Sequence, residues 1–317
     1  MVAPAPPHGD VDAPGRAAPA GTAVPEAPAR EPRPGSTLHY ALLRVEGEAR
    51  RRSLARLALG RALTDVLLDV TDPGVARTKV HWWHEELDRL HAGEPRHPTA
   101  AACRELAGDA AARERLLELL GAAAADRLEP ARTVAALDAA LGTVGGLRVA
   151  LVADALAPSS GFLDAPHAVP AGLAVGLARH ERLSRLPPLL ARRHPVFSAE
   201  LYARHGLDER ALLAGVRLAP VEGEAGVDAS ASSTPEAAER AGTERRALLR
   251  EAIDLAVDRL EGGLADAGAA RLPVPVRAFA TMRLRQLALW RAKGTDLLRE
   301  RRSLTPLRKA WVASRVR

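Results

Sequence analysis

The sequence predicts an all-α protein. Three observations carry that prediction. The chain is rich in Ala, Leu and Arg and poor in aromatic and β-branched residues, with 3% aromatic content, which favours helix nearly everywhere. Apolar residues such as Leu116, Leu117 and Leu120 recur at helical spacing. Prolines at 73, 98, 130 and 273 punctuate the pattern close to helix starts, where a missing N–H costs nothing.

Taken in order, residues 1–36 are Pro- and Ala-rich with scattered charges. Such a composition buries too little surface to offset ordering entropy, so this stretch is expected to be a disordered leader. A single domain over 37–317 follows. Helical patterns occupy about 38–68, 74–92 after Pro73, 98–120 from Pro98, and 131–157 after Pro130. Further ones run over about 168–191, 198–215, 236–267, 273–293 and 304–314. Between them, 219–236 turns to Gly, Ala, Ser and acids and reads as an internal surface loop. No repeat of fixed period is present.

Composition excludes several classes. Cys103 is the single cysteine, so no internal disulfide forms and nothing points to an oxidising compartment. No stretch approaches the roughly 18 apolar residues of a membrane span, and the N-terminus lacks the compact apolar run of a secretory signal. The expectation is a cytoplasmic protein, with a peripheral place at the inner membrane as an option. That option comes from the C-terminal end, where Arg291, Lys293, Arg299, Arg301, Arg302, Arg308, Lys309, Arg315 and Arg317 face only Asp296 and Glu300 and are bracketed by Trp290 and Trp311. Such a segment suits an anionic membrane surface, although most basic tails are simply solvated. No nucleic-acid motif or aromatic-basic interleaving accompanies it, so nucleic acid is not an expected partner.

Local motifs each have an ordinary reading. His84, Asp88 and His91 fall on one helix face, yet a zinc-protease motif needs His where Asp88 stands. A solvated face opposite an inward side of Val80, Trp83 and Leu87 explains them. Gly142-Thr-Val-Gly-Gly146 lacks the Lys-Ser or Lys-Thr of a phosphate loop, and in a helix small residues permit close packing. Ser159 and Ser160 lie near Asp164 and His167 without a nucleophile elbow, which argues against a hydrolase triad.

Residues 61–91 carry a larger pattern: Arg61, then Asp65 and Asp69, then Asp72-Pro73, Lys79, Trp82-Trp83 and Glu86-Leu87. Upstream stand Thr37–Tyr40 and Glu48, Arg50 and Arg51. Downstream come Gly93–Pro98, Gly142–Gly145, Phe197–Leu201 and Glu200–Gly206. In order and spacing these resemble the squalene/phytoene synthase family, in particular its bacterial presqualene diphosphate synthases, over roughly residues 37–315. The resemblance implies an isoprenoid (terpenoid) synthase-type helical bundle around a central cavity. It places Thr37, Tyr40, Arg61, Gly142 and Gly145 at substrate-binding positions for an isoprenoid lipid or diphosphate.

The same resemblance shows what is missing. Family members hold magnesium ions between two Asp-rich helices, and magnesium takes oxygen ligands in near-octahedral geometry. The outer Asp positions of the first motif fall on Thr64 and Leu68, and the two of the second fall on Arg185 and Leu189. Without the ions, charge developing on departing diphosphate loses its main electrostatic partner. No catalytic residue, metal or cofactor is therefore expected. The working reading is a non-catalytic binding, scaffold or assembly-factor protein, as in degenerate members that serve respiratory-complex assembly. The rival is an active head-to-head prenyltransferase in which Asp65 and Asp69, with Glu85, rebuild a Mg2+ cluster. A third reading is a lipid-binding module that holds an isoprenoid unchanged. Arg61 itself has two readings, a diphosphate ligand or an ion-pair partner of Asp65 one turn on.

Overall fold

A computed structural model describes residues 31–68, 70, 72–158, 161–165, 168–213, 235–300 and 302–316. Every regular element among them is helical: α1 (Thr37–Ala41), α2 (Gly47–Asp65), α3 (Pro73–His91), α4 (Pro98–Ala101), α5 (Ala110–Leu128), α6 (Val134–Leu156) and α7 (Ala171–Ser184). They continue with α8 (Leu186–Ala191), α9 (Ala199–Arg204), α10 (Glu209–Leu212), α11 (Pro235–Ala265), α12 (Val274–Lys293) and α13 (Pro306–Arg315). Single 3-10 turns lie at Arg104–Leu106 and Ala267–Arg271. Most of the expected leader and most of the loop at 219–236 lie outside the described residues. Residues 31–36 are described, and Glu31 pairs with Arg50 at 2.6 Å.

Starts follow local chemistry. The Asp72 carboxylate accepts the Val75 N–H at 2.8 Å and Pro73 occupies the first turn of α3, which satisfies one orphan donor and wastes none. Thr133 caps α6 through the Ala136 N–H at 3.0 Å. α12 ends at Gly294 in the left-handed region, φ 55°, a conformation that glycine adopts without strain.

The bundle centres on α7, which lies between α6 and α11. Glycines set those two crossings. A Cβ on Gly145 of α6 would stand 2.3 Å from the Ala174 carbonyl oxygen, and one on Gly263 of α11 would stand 1.9 Å from the Leu173 nitrogen. Backbone therefore touches backbone on both sides of α7. One apolar cluster fills this half, from Leu68 and Ala150 through Leu173, Leu186 and Leu189 to Val257, Leu260 and Trp290. A second, including Leu59, Leu63, Trp83, Leu87, Leu116 and Leu151, joins α2, α3, α5 and α6. Between α6, α7 and α11 lies a cavity of about 10 Å³, lined by Leu137, Leu141, Leu183 and Phe197 among others.

One expectation is corrected. α6 is long and apolar enough to cross a membrane by length and composition, contrary to the reading that no stretch is. Its surroundings are those of a core helix: it packs on α2, α5 and α7. Its charges are paired inside the bundle, Asp138 with Arg179 at 2.6 Å and Asp154 with Arg56 at 2.6 Å. Buried charges persist only when partnered in this way.

Candidate functional site: an ion-paired seam between α2 and α7

α2 ends at Asp65, and α7 ends where Arg185 closes it, its N–H donating to the Glu181 carbonyl at 3.1 Å. Pro187 and Pro188 follow in the first turn of α8. Proline lacks an N–H and its ring crowds the preceding turn, so the helix cannot run through unbroken. The chain end of α7 is thereby turned towards the end of α2.

There, Arg185 grips Asp65 with two hydrogen bonds, Nη1 to Oδ1 at 2.8 Å and Nη2 to Oδ2 at 3.1 Å. Arg61 reaches the same carboxylate from one turn back, at 3.3 Å. Glu181 extends the chain, 3.6 Å from Arg185 and hydrogen-bonded by Arg148 of α6. Burial raises the Glu181 carboxyl, but Arg148, Arg185 and Arg61 outweigh it and hold the pKa below the ordinary value. Burial likewise opposes the Arg185 charge, and the bonds and charges of Asp65 and Glu181 reverse the effect and raise its pKa. The result is one line of alternating charge, Arg61, Asp65, Arg185, Glu181, Arg148, sewing α2, α6 and α7 together.

The neighbouring positions are apolar or locally satisfied. Leu68 and Leu189 are both buried in the same apolar cluster, and the Thr64 hydroxyl donates to the Arg61 carbonyl at 3.1 Å. Thr64, Leu68, Leu189 and Arg185 thus present a back-bonded hydroxyl, two core side chains and a guanidinium paired with Asp65. Magnesium takes several oxygen ligands, whereas the Asp65 carboxylate is engaged by the guanidinium groups of Arg185 and Arg61. Among the described residues no group of three or more His, Cys, Asp or Glu is arranged to hold a metal.

The remaining candidates are dispersed. Asp69 lies outside the described residues, and α2 ends at Asp65. Glu85 lies on the solvent side of α3, where His81 at 3.3 Å and Arg89 at 3.5 Å engage it; no described bond links it to Asp65. Thr37 is buried and Tyr40 half-buried on α1, which packs on α12 and α13 rather than beside Arg61. Gly142 and Gly145 face Val175 and Ala174 of α7. His84 and Asp88 are exposed on α3, and Asp88 pairs with Arg113 at 2.6 Å.

Residues not foreseen complete the electrostatics. Arg283 of α12 bonds Gln286 at 3.0 Å and lies over the Phe279 ring at 4.7 Å; burial lowers its pKa to about 10, opposed by Glu181. Lys309, expected to be a solvated tail cation, is buried and donates to the Gly35 carbonyl at 2.8 Å, its pKa lowered by burial and by Arg283. Trp290 is also inside, stacked on His180 at 5.1 Å. No simple spacing rule connects Arg148, Glu181, Arg283 and Lys309, which come from four helices distant in sequence.

The squalene/phytoene synthase sequence profile matches residues 32–308. The chain belongs to the squalene/phytoene synthase family. Solved structures show the shared fold: a dehydrosqualene synthase in complex with ligand has TM-score 0.63 at 14% identity, over 88% of this chain and 90% of that one. Squalene synthase HpnC from Alicyclobacillus acidocaldarius has TM-score 0.53 at 17% identity, over 81% and 88%. TcSQS with a bound ligand has TM-score 0.60 at 14% identity, over 88% and 81%. Among curated protein sequences, none matches this chain. The all-α isoprenoid synthase-type fold implied by the motifs is thus the fold observed.

Proposed function

We propose that this family member is a non-catalytic scaffold or binding protein rather than a prenyl-coupling enzyme. The single observation that carries the reading is the two-bond pair between Asp65 and Arg185. Where the family joins its two acidic walls through magnesium and diphosphate, this chain joins them directly. A guanidinium supplies the positive charge permanently, so on this reading the walls are held without a cofactor. The test is turnover: purified protein incubated with farnesyl or geranylgeranyl diphosphate and magnesium is expected to yield no presqualene, squalene or phytoene product. Formation of any of these above a heat-killed control refutes the proposal and favours the prenyltransferase rival.

A second reading, isoprenoid binding without turnover, is favoured by the charge balance around the seam. Arg61, Arg148, Arg185 and Arg283 outnumber Asp65 and Glu181, and several are partly desolvated, which suits an anionic headgroup. Mass spectrometry of lipids extracted from the purified protein tests it. A stoichiometric prenyl lipid or prenyl diphosphate supports it, and an empty extract counts against it.

A further inference from the structure

We propose that the outer face of α13 docks on an anionic lipid surface. α13 is anchored from beneath: Lys309 and Val312 are buried, and Val312 packs with Ala41, Ala278, Met282 and Leu304. Its opposite side presents Leu307, 84% exposed, and Trp311, 51% exposed. The two are four residues apart and so share one helix face. Large apolar side chains this exposed on one face are a standing cost in water, which insertion into a headgroup layer removes.

The charges identify the occupant. Arg308 and Arg315 are exposed beside this stripe, and the Arg315 guanidinium lies over the Trp311 ring at 4.6 Å. From residue 301 to 317 the sequence contains no Asp or Glu, so nothing on the segment repels an anionic surface. Tryptophan and leucine with flanking arginine suit the boundary between headgroups and acyl chains, where the ring and the cation each meet their preferred medium. A second copy of the chain is disfavoured because like cations would meet. Nucleic acid makes no use of Leu307.

Sedimentation of the full-length protein with vesicles tests this. Each exposed arginine contributes about 1 kcal/mol at an anionic surface, roughly fivefold, so phosphatidylglycerol-containing vesicles should bind roughly 30-fold tighter than phosphatidylcholine alone. Arg308→Gln with Arg315→Gln should abolish that preference. Leu307→Ser with Trp311→Ser should weaken binding at least about tenfold with helicity unchanged, since the apolar contact is lost. Leu307→Ser alone, at the most exposed apolar position, serves if the pair disturbs folding. The proposal is overturned if both vesicle types bind equally or not at all. It is also overturned if the apolar variants retain full affinity while the arginine variant loses it, the behaviour of a nonspecific polyanion site. A dimer that Trp311→Ser dissociates would likewise overturn it, assigning the face to self-association.

Discussion

Replacing Asp65 by Asn and Arg185 by Gln, singly and together, measures the seam directly. The pair makes contacts of 2.8 and 3.1 Å and each side chain is roughly a quarter exposed, 27% for Asp65 and 26% for Arg185. It therefore lies between a surface ion pair, worth about 0–1 kcal/mol, and a fully buried one, whose disruption costs about 3–5 kcal/mol. Losing Arg185 does not orphan either acid, because Asp65 keeps Arg61 and Glu181 keeps Arg148. A single change is thus expected to cost about 1–2 kcal/mol, or a Tm fall of about 2–4 °C at this chain length. The coupling energy in the cycle is expected near 1 kcal/mol. Chemical denaturation of the four proteins by circular dichroism reads it. Strict additivity, with coupling indistinguishable from zero, would refute the claim that Arg185 holds the two walls together.

Three further outcomes follow from the packing and the titrating groups. Gly263→Ala is expected to cost about 3 kcal/mol or more, because its methyl would meet the α7 backbone, whereas Gly121→Ala in α5, with open space around it, should be neutral or slightly stabilising; thermal melts distinguish them. Glu86 is fully buried and accepts the Arg96 and His97 backbone N–H groups at 2.7 Å each, with Arg89 at 2.9 Å. Glu86→Ala should therefore lose about 2–4 kcal/mol in urea titrations. Burial holds His180 well below the ordinary imidazole pKa, and lowers His194 to about 4. Both bind protons more tightly when unfolded, so stability is complete above the unfolded pKa near 6.5 and falls as pH drops towards 4, with about 3 kcal/mol from His194. Stability curves between pH 7 and 4 check this, and a flat profile would show that neither imidazole is buried neutral.

Long helices with strong apolar periodicity were legible in sequence. The patterns at 131–157, 236–267 and 273–293 become α6, α11 and α12 with ends displaced by at most three residues. Splits were harder, because periodicity continues across them. The pattern at 38–68 breaks before Gly47, whose φ of 57° belongs to the left-handed region, and 198–215 breaks at Gly206, φ 62°. The break at Arg185 carried a visible signal in Pro187-Pro188. For the site, the Arg61–Asp65 pair at helical spacing was legible, while the expectation that Thr64, Leu68, Arg185 and Leu189 replace acids rests on the family resemblance. That Arg185 would turn to Asp65 was not legible, since the contact joins residues 120 apart in the chain. The small residues on α6 illustrate the same limit: the sequence marks Gly145 as a place of close approach, and only the fold shows that α7 is what approaches.

The most direct test is a calorimetric titration of magnesium into the purified protein in the presence of inorganic pyrophosphate. With Asp65 committed to Arg61 and Arg185, no saturable protein-dependent heat beyond that of magnesium pyrophosphate is expected. A saturable site that Asp65→Ala abolishes would contradict the account and return the seam to a metal-dependent active centre.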